Sequence, residues 1–211
     1  METGKFITVE GIEGVGKSTN IEHLTKAIEA RGHTVLTTRE PGGTPVAERI
    51  RELLLHHGDE PMPDVAELLL MFAARSLHVN NVIAPALASG TWVICDRFVD
   101  ASRAYQGGGR GLPMEDIDQI ASLVLGDLKP DVTILLDAPV EVGMSRADKR
   151  SAADRIESER AAFFERVRAC YLSLAASEPE RFVVVDASAD IEAVRGDIDS
   201  IVAAIDSNII D

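Results

Sequence analysis

The sequence predicts an α/β fold: a five-stranded parallel sheet covered by helices on both faces, in three layers. Three observations carry that expectation. Short β-rich runs alternate with segments of helical spacing along the whole chain, the order expected of parallel strands joined by crossover helices. Several strand runs are continuously apolar, so both faces of the sheet must be covered. The first strand also leads straight into a glycine-rich turn that opens a helix, GIEGVGKST (11–19).

KFITVE (5–10) is the first strand. Residues 18 to about 30 follow with Ile21, Leu24 and Ile28 at helical spacing, and Gly32 ends that helix. HTVLTTRE (33–40) is the second strand and PGGT a turn. VAERIRELLL sets Ile50, Leu53 and Leu54 on one helical face. A long helix is expected from about Pro63 to Leu87, closed by Gly90. TWVICD (91–96) is the third strand, followed by a glycine-rich loop and a helix over 113–125. DVTILLD (131–137) is the fourth strand, and 139–148 read as helical. A polar, basic stretch (149–155) precedes a strong helix, IESERAAFFERVRACYLSLAASEP. RFVVVDA (181–187) is the fifth strand, and a last helix follows. No linker or repeat interrupts the pattern, so one domain over 1–211 is expected, with a mobile insert near 143–157.

The composition, 45% hydrophobic and 27% charged over 211 residues, fits a globular chain with a sizeable core. A formal charge of −14 argues against a nucleic-acid polymer as partner, which needs a basic face, but not against a small phosphate ester held by local groups. Cys95 and Cys170 form no C-x-x-C and read as thiols in a reducing compartment. The N-terminus has no apolar h-region and no apolar run approaches membrane-span length, so a cytoplasmic protein without a membrane partner is expected. The five histidines show no metal-ligand spacing.

Gly11-Ile12-Glu13-Gly14-Val15-Gly16-Lys17-Ser18 matches G-x-x-x-x-G-K-[ST] between a strand and a helix. Glycines let successive N–H groups curl toward phosphate oxygens, and the helix start adds partial positive charge. Lys17 is placed to reach the outer phosphates and Ser18 to offer its hydroxyl to Mg²⁺, which points to a nucleoside triphosphate. The loop alone does not separate a switch, a motor, a small-molecule kinase or a nucleotide sensor. A guanine-specific switch would carry N/T-K-x-D after a later strand, and this chain has none.

Three further segments narrow the choice: TREPGGT (38–44) with Arg51 beyond it, FAAR (72–75) within the long helix, and CDRF (95–98) leading into SRAYQGGGRG. Ligands of open parallel sheets sit beyond the carboxyl ends of the strands, so Arg39, Arg51, Arg75 and Arg97 are expected to converge on a second anion. With EGIEGVGKST, TREPGGT, DRF, AYQGGGRG and a DRIE segment after the basic insert, the chain resembles bacterial thymidylate kinases over essentially its whole length.

That resemblance implies a P-loop kinase fold, usually dimeric, converting ATP and dTMP to ADP and dTDP with Mg²⁺, a step of dTTP synthesis. It implies ATP contacts from residues 11–19 (Thr19 included) and from Arg146. It places the acceptor phosphate on Arg39, Arg51 and Arg97, and Arg75 toward thymine O4 with Ser102 and Gln106 nearby. Tyr105 would lie under sugar carbon 2 and exclude ribose. Asp96 would organise water on Mg²⁺ or orient Arg97, and Glu13 would accept from the 3′-hydroxyl or pair with an acceptor-site arginine. Relatives often stack an aromatic on thymine four residues before the helix arginine; here that place holds Met71, and the aromatic, Phe72, lies one step round, so either could pack on the base. The catalytic arginine absent from the loop would come from the basic insert, with Arg150 as the expected residue among Arg146, Lys149, Arg150 and Arg155. A kinase of another monophosphate and a nucleotide-binding regulator are the rival readings.

Overall fold

The computed structural model describes residues 4–56, 58, 60–147 and 154–207. Five strands, β1 (Phe6–Glu10), β2 (Val35–Arg39), β3 (Trp92–Asp96), β4 (Val132–Asp137) and β5 (Phe182–Asp186), form one sheet in the order β2-β3-β1-β4-β5. Every pairing is parallel. The period-2 alternation of strand side chains divides the core. Ile7, Val9, Trp92 and Ile94 point into one apolar cluster, while Phe6, Val93 and Cys95 point into another. Helices α1 (Lys17–Glu29), α8 (Ala161–Ser177) and α9 (Ile191–Asp206) fill the first. Helices α3 (Asp64–His78) and α6 (Met114–Leu125) fill the second. The expected sheet with both faces covered is what forms. α2 (Pro45–Leu55) starts on the Thr44 side chain, which accepts from the Ala47 N–H, with Pro45 at the first helical position.

Three local expectations are corrected. The long helix expected over 63–87 comes in pieces: α3, a π-helical turn (Val79–Ile83) and α4 (Ala84–Ala88). Pro85 has no N–H to continue the regular ladder, and the register slips just before it. The glycine-rich stretch after β3 is not a loop. It is helical, as α5 (Val99–Ser102) and a π-helical segment (Arg103–Gly109). Three glycines weaken a helix, but here they let it touch α8. A Cβ on Gly108 would lie 2.6 Å from Cys170 Cβ, and one on Gly109 2.5 Å from the Phe163 ring. Lastly, 156–160 is not helical. Asp154 Oδ1 accepts from the N–H groups of Ile156 (2.9 Å) and Glu157 (2.8 Å), an Asx turn that competes with helix, so α8 begins at Ala161. Of the expected mobile insert, 143–147 belong to α7 (Val140–Ala147), and 148–153 lie outside the described residues.

Candidate active site

The carboxyl ends of β1, β2 and β3 carry the loops expected to bind. The glycine-rich loop leaves β1 and ends at Gly16, the left-handed residue (φ 88°) before α1. Gly14, at φ 74°, has a second constraint: a Cβ there would lie 1.8 Å from the Gly143 carbonyl oxygen. The loop and α7 therefore touch backbone to backbone, which no side chain would permit. Lys17 is buried, and its Nζ donates to the carbonyls of Ile12 (2.9 Å) and Gly11 (3.2 Å), across the cradle it closes. Burial lowers its pKa, with the Arg97 charge adding to the effect. Ser18 stands exposed at the mouth, and Thr19 is exposed beyond it.

One cleft beside the loop is lined by Glu13, Gly14, Gly16, Lys17, Ser18, Arg39, Arg51, Met71, Arg75, Asp96, Arg97, Ser102, Tyr105 and Gln106. The four arginines thus converge. Arg39 lies on the exposed side, with Nη2 donating to both oxygens of Glu48 (2.9 and 3.1 Å). Arg51 donates to the Pro41 carbonyl (2.9 Å) across the cis Glu40–Pro41 bond. Burial lowers the Arg51 pKa, and the like charge of Arg39 lowers it further. Cations crowded this way are relieved by an incoming anion. Arg75 is almost fully buried: Nε donates to Glu40 (2.6 Å), Nη1 to Ser102 Oγ (3.0 Å) and Nη2 to the Phe98 carbonyl (2.8 Å). Glu40 also meets His78 Nδ1 (3.0 Å), and His78 Nε2 meets Thr38 Oγ1 (2.7 Å), so a polar chain braces Arg75 from behind.

Arg97 adopts φ 68°, uncommon for a side-chain-bearing residue. That bend turns its guanidinium onto the phosphate loop: Nη1 donates to the Gly11 carbonyl (2.9 Å) and Nη2 to Glu13 Oε1 (2.6 Å). Burial alone would lower the Arg97 pKa, but Glu13, followed by Tyr105, Tyr171 and Asp96, holds it well above the usual value. Glu13 Oε1 also accepts from the Tyr105 hydroxyl (3.1 Å), whose ring lies 4.8 Å from the Arg97 guanidinium carbon. Beneath this group Glu10 is fully buried, accepting from the Phe98 N–H and the Tyr171 hydroxyl, each at 2.7 Å.

Met71 and Phe72, adjacent on α3, face different ways. Met71 lines the cleft, whereas Phe72 packs in the apolar cluster behind it with Phe98. One step of about 100° turns it away from the cleft. Arg75 lies 4.6 Å above the Phe72 ring, so Phe72 acts on the site only as a shelf. Arg146 lies off the cleft, with Nη1 donating to the Ala187 carbonyl in the turn after β5. Arg150 lies outside the described residues. Sequence reasoning missed Glu40 and Pro41 of the TREPGGT turn, and Asp154, Ile156 and Glu157 of the DRIE segment, as lining residues. Both segments were singled out, but only their arginines were read as functional.

The donor set suits a hydrated divalent cation. Among the described residues Asp96 Oδ1 is buried without a hydrogen-bond partner, and Asp96 shares the cleft with the exposed Ser18 hydroxyl beside the glycine-rich loop. Among the described residues, no group of three or more His, Cys, Asp or Glu could hold a metal by itself, so substrate oxygens and water would complete the shell.

Residues 9–198 match the family model described as thymidylate kinase. Thymidylate kinase from Alcanivorax borkumensis is 56% identical over 200 residues, covering 95% of this chain and 96% of that protein. The enzyme from Ectopseudomonas mendocina is 54% identical over 203 residues, with 96% and 97% covered. The crystal structure of thymidylate kinase from Ehrlichia chaffeensis superposes with a TM-score of 0.74 at 33% identity, over 95% of this chain and 99% of that one. An arginine-lined cleft beside the glycine-rich loop and likeness over nearly the whole length agree: this chain belongs to the thymidylate kinase family.

Proposed function

We propose that the chain transfers the terminal phosphoryl group of ATP to dTMP, giving ADP and dTDP for dTTP synthesis. The observation that carries this reading is the convergence of arginines beside the glycine-rich loop. Arg39, Arg51 and Arg97 line the cleft next to Lys17, where an acceptor phosphate would face the phosphates held by the loop. Little covalent chemistry falls to the protein, so positioning and charge stabilisation supply the rate. Guanidinium forks suit the acceptor oxygens, and Lys17 follows the charge on the donor. Asp96, through water, and Ser18 would hold Mg²⁺, which would supply positive charge to offset the negative charge of the donor phosphates. Met71 would pack on the thymine face, with Arg75, Ser102 and Gln106 at its polar edge. Tyr105, fixed by Glu13, would close the space a ribose 2′-hydroxyl needs. Arg150 would supply transition-state charge, and Arg146 would border the adenine.

A homodimer is part of the proposal. Val65 and Leu69 on α3 and Leu123 on α6 are exposed apolar side chains for which a second copy would provide cover. Among the described residues no helix is long and apolar enough to cross a membrane, in keeping with a cytoplasmic site of action.

The test is initial rates with ATP, Mg²⁺ and a panel of dTMP, dUMP, UMP, CMP, AMP and thymidine. dTMP is expected to give the highest kcat/KM. Another acceptor giving the highest value would refute the reading, and binding of ATP with no acceptor turnover would indicate a regulator.

A further inference from the structure

We propose that Glu67 is the positioning residue that fixes which end of the Gln106 amide faces the cleft, and so selects a base edge bearing an N–H donor. The inference rests on the reading of this cleft as a thymidine monophosphate site.

Glu67 lies on α3 one turn before Met71 and two before Arg75, on the stripe that faces the cleft. It is 1% exposed and does not line the cleft itself. Oε1 accepts from Gln106 Nε2 (2.8 Å) and weakly from Arg110 Nε (3.4 Å). Oε2 accepts from Arg110 Nη2 (3.1 Å) and Arg155 Nη2 (2.5 Å). Burial pushes the Glu67 carboxyl up, but the bonds from Gln106, Arg155 and Arg110 outweigh it and leave the pKa lowered, so the group is ionised near neutral pH.

An ionised carboxylate can only accept. It therefore holds the NH₂ end of the Gln106 amide, and the carbonyl end, Oε1, is turned the other way. Gln106 is 1% exposed and lines the cleft with Met71, Arg75 and Ser102. The wall thus offers an acceptor from Gln106 and donors from Arg75. Thymine presents the matching edge, an N3–H beside the O4 carbonyl. Cytosine presents an N3 lone pair beside an amino group, which repels both. With the amide reversed, the preference at N3 would reverse too, so the polarity of this position is set by a residue the nucleotide does not touch.

The same carboxylate holds the turn that follows the basic insert. Arg155 donates from Nε to the Leu54 carbonyl (2.8 Å) and from its backbone N–H to that of Leu55 (3.1 Å), and its neighbours Asp154, Ile156 and Glu157 line the cleft. Loosening that wall weakens every acceptor alike. Base preference therefore isolates the action through Gln106.

The experiment compares kcat/KM for dTMP and for 5-methyl-dCMP, with ATP, in the wild type, Glu67→Gln, Glu67→Asp, Gln106→Met and the double variant Glu67→Gln/Gln106→Met. Both Glu67 variants are expected to lose about tenfold or more of the thymine preference, mainly through KM: in Glu67→Gln the new amide can bond either end of Gln106, and in Glu67→Asp the carboxylate, one methylene shorter, no longer reaches Gln106 Nε2. In the Gln106→Met background, Glu67→Gln should leave the ratio where Gln106→Met alone puts it. A folded Glu67 variant with the wild-type ratio, or a further loss in the double variant, overturns the proposal. Should the Glu67 variants not fold, ¹⁵N-glutamine NMR of the nucleotide-free wild type decides. The Gln106 side-chain N–H groups should exchange slowly, and exchange at the free-amide rate overturns the proposal. Failure of the wild type to use dTMP would sink the reading of the cleft, whereas the NMR result reports the Glu67–Gln106 bond independently.

Discussion

Glu10 gives the sharpest test of the energetics under the cleft. Its side chain ends β1 with no solvent contact, and burial, followed by the charge of Asp100, raises its pKa from 4.5 to about 7, against the opposing bonds from Tyr171 and Phe98 and the charge of Arg97. Because the folded pKa lies above the unfolded one, the folded state binds more protons between about pH 4.5 and 7, and stability falls as pH rises through that window. A displacement of roughly 2.5 units at about 1.4 kcal/mol each makes the loss about 3 kcal/mol. In a chain of this length that is about 6–12 °C in Tm. Glu10→Gln keeps the shape and removes the titration. The assay is urea unfolding and calorimetry of both proteins from pH 5 to 8. The wild type should lose about 2–3 kcal/mol relative to the variant over that range, the rest of the loss falling below pH 5. Carboxylates with lowered pKa, such as Glu67 and Glu178, lose their contribution as pH falls below about 4.5, outside the window. Parallel stability curves for the two proteins between pH 5 and 8 would refute the reasoning.

Tyr105→Ala should raise activity on ribo-TMP relative to dTMP; a fixed ratio of the two kcat/KM values would contradict the steric account of sugar choice. Gly14→Ala should cost about 2–4 kcal/mol in urea unfolding, because a side chain there meets the Gly143 carbonyl at a left-handed backbone angle. Wild-type stability would mean that α7 yields easily. Arg150→Ala should cut kcat by about a hundredfold or more with little change in dTMP affinity, read by rapid quench and titration calorimetry, since a contact formed in the transition state leaves binding alone. Glu13→Gln should weaken its hold on Arg97 and raise the KM for dTMP by about tenfold, since a bond to a charged group is lost.

The five strands were legible because the sheet is buried on both faces, which writes each strand as an unbroken apolar run. The phosphate loop was legible because its glycines have no substitute at those backbone angles. The helix over 99–109 was not: Gly107, Gly108 and Gly109 spell a loop locally, and only contact with Cys170 and Phe163, far along the chain, shows why they belong in a helix. Of the converging arginines, Arg39 and Arg97 could be read from their places at strand ends, and Arg51 and Arg75 from the segments that accompany them. The carboxylates buried behind and beneath the cleft could not, since Glu40, Glu67 and Glu10 are three among 35 acidic residues and only tertiary burial sets them apart. Met71 against Phe72 turned on helix rotation, which spacing describes but does not phase.

The arginine-lined cleft belongs to a chain with a formal charge of −14. A nucleotide approaching from solution is itself an anion and meets a repulsive far field. At physiological salt that field fades over about 8 Å, so attraction begins only at the mouth of the cleft. Such an enzyme gains nothing from long-range steering. Its selectivity among anions is exercised at contact, where phosphate geometry and base edge are read together, and a polyanion too large for the cleft stays in the region where charge only repels it.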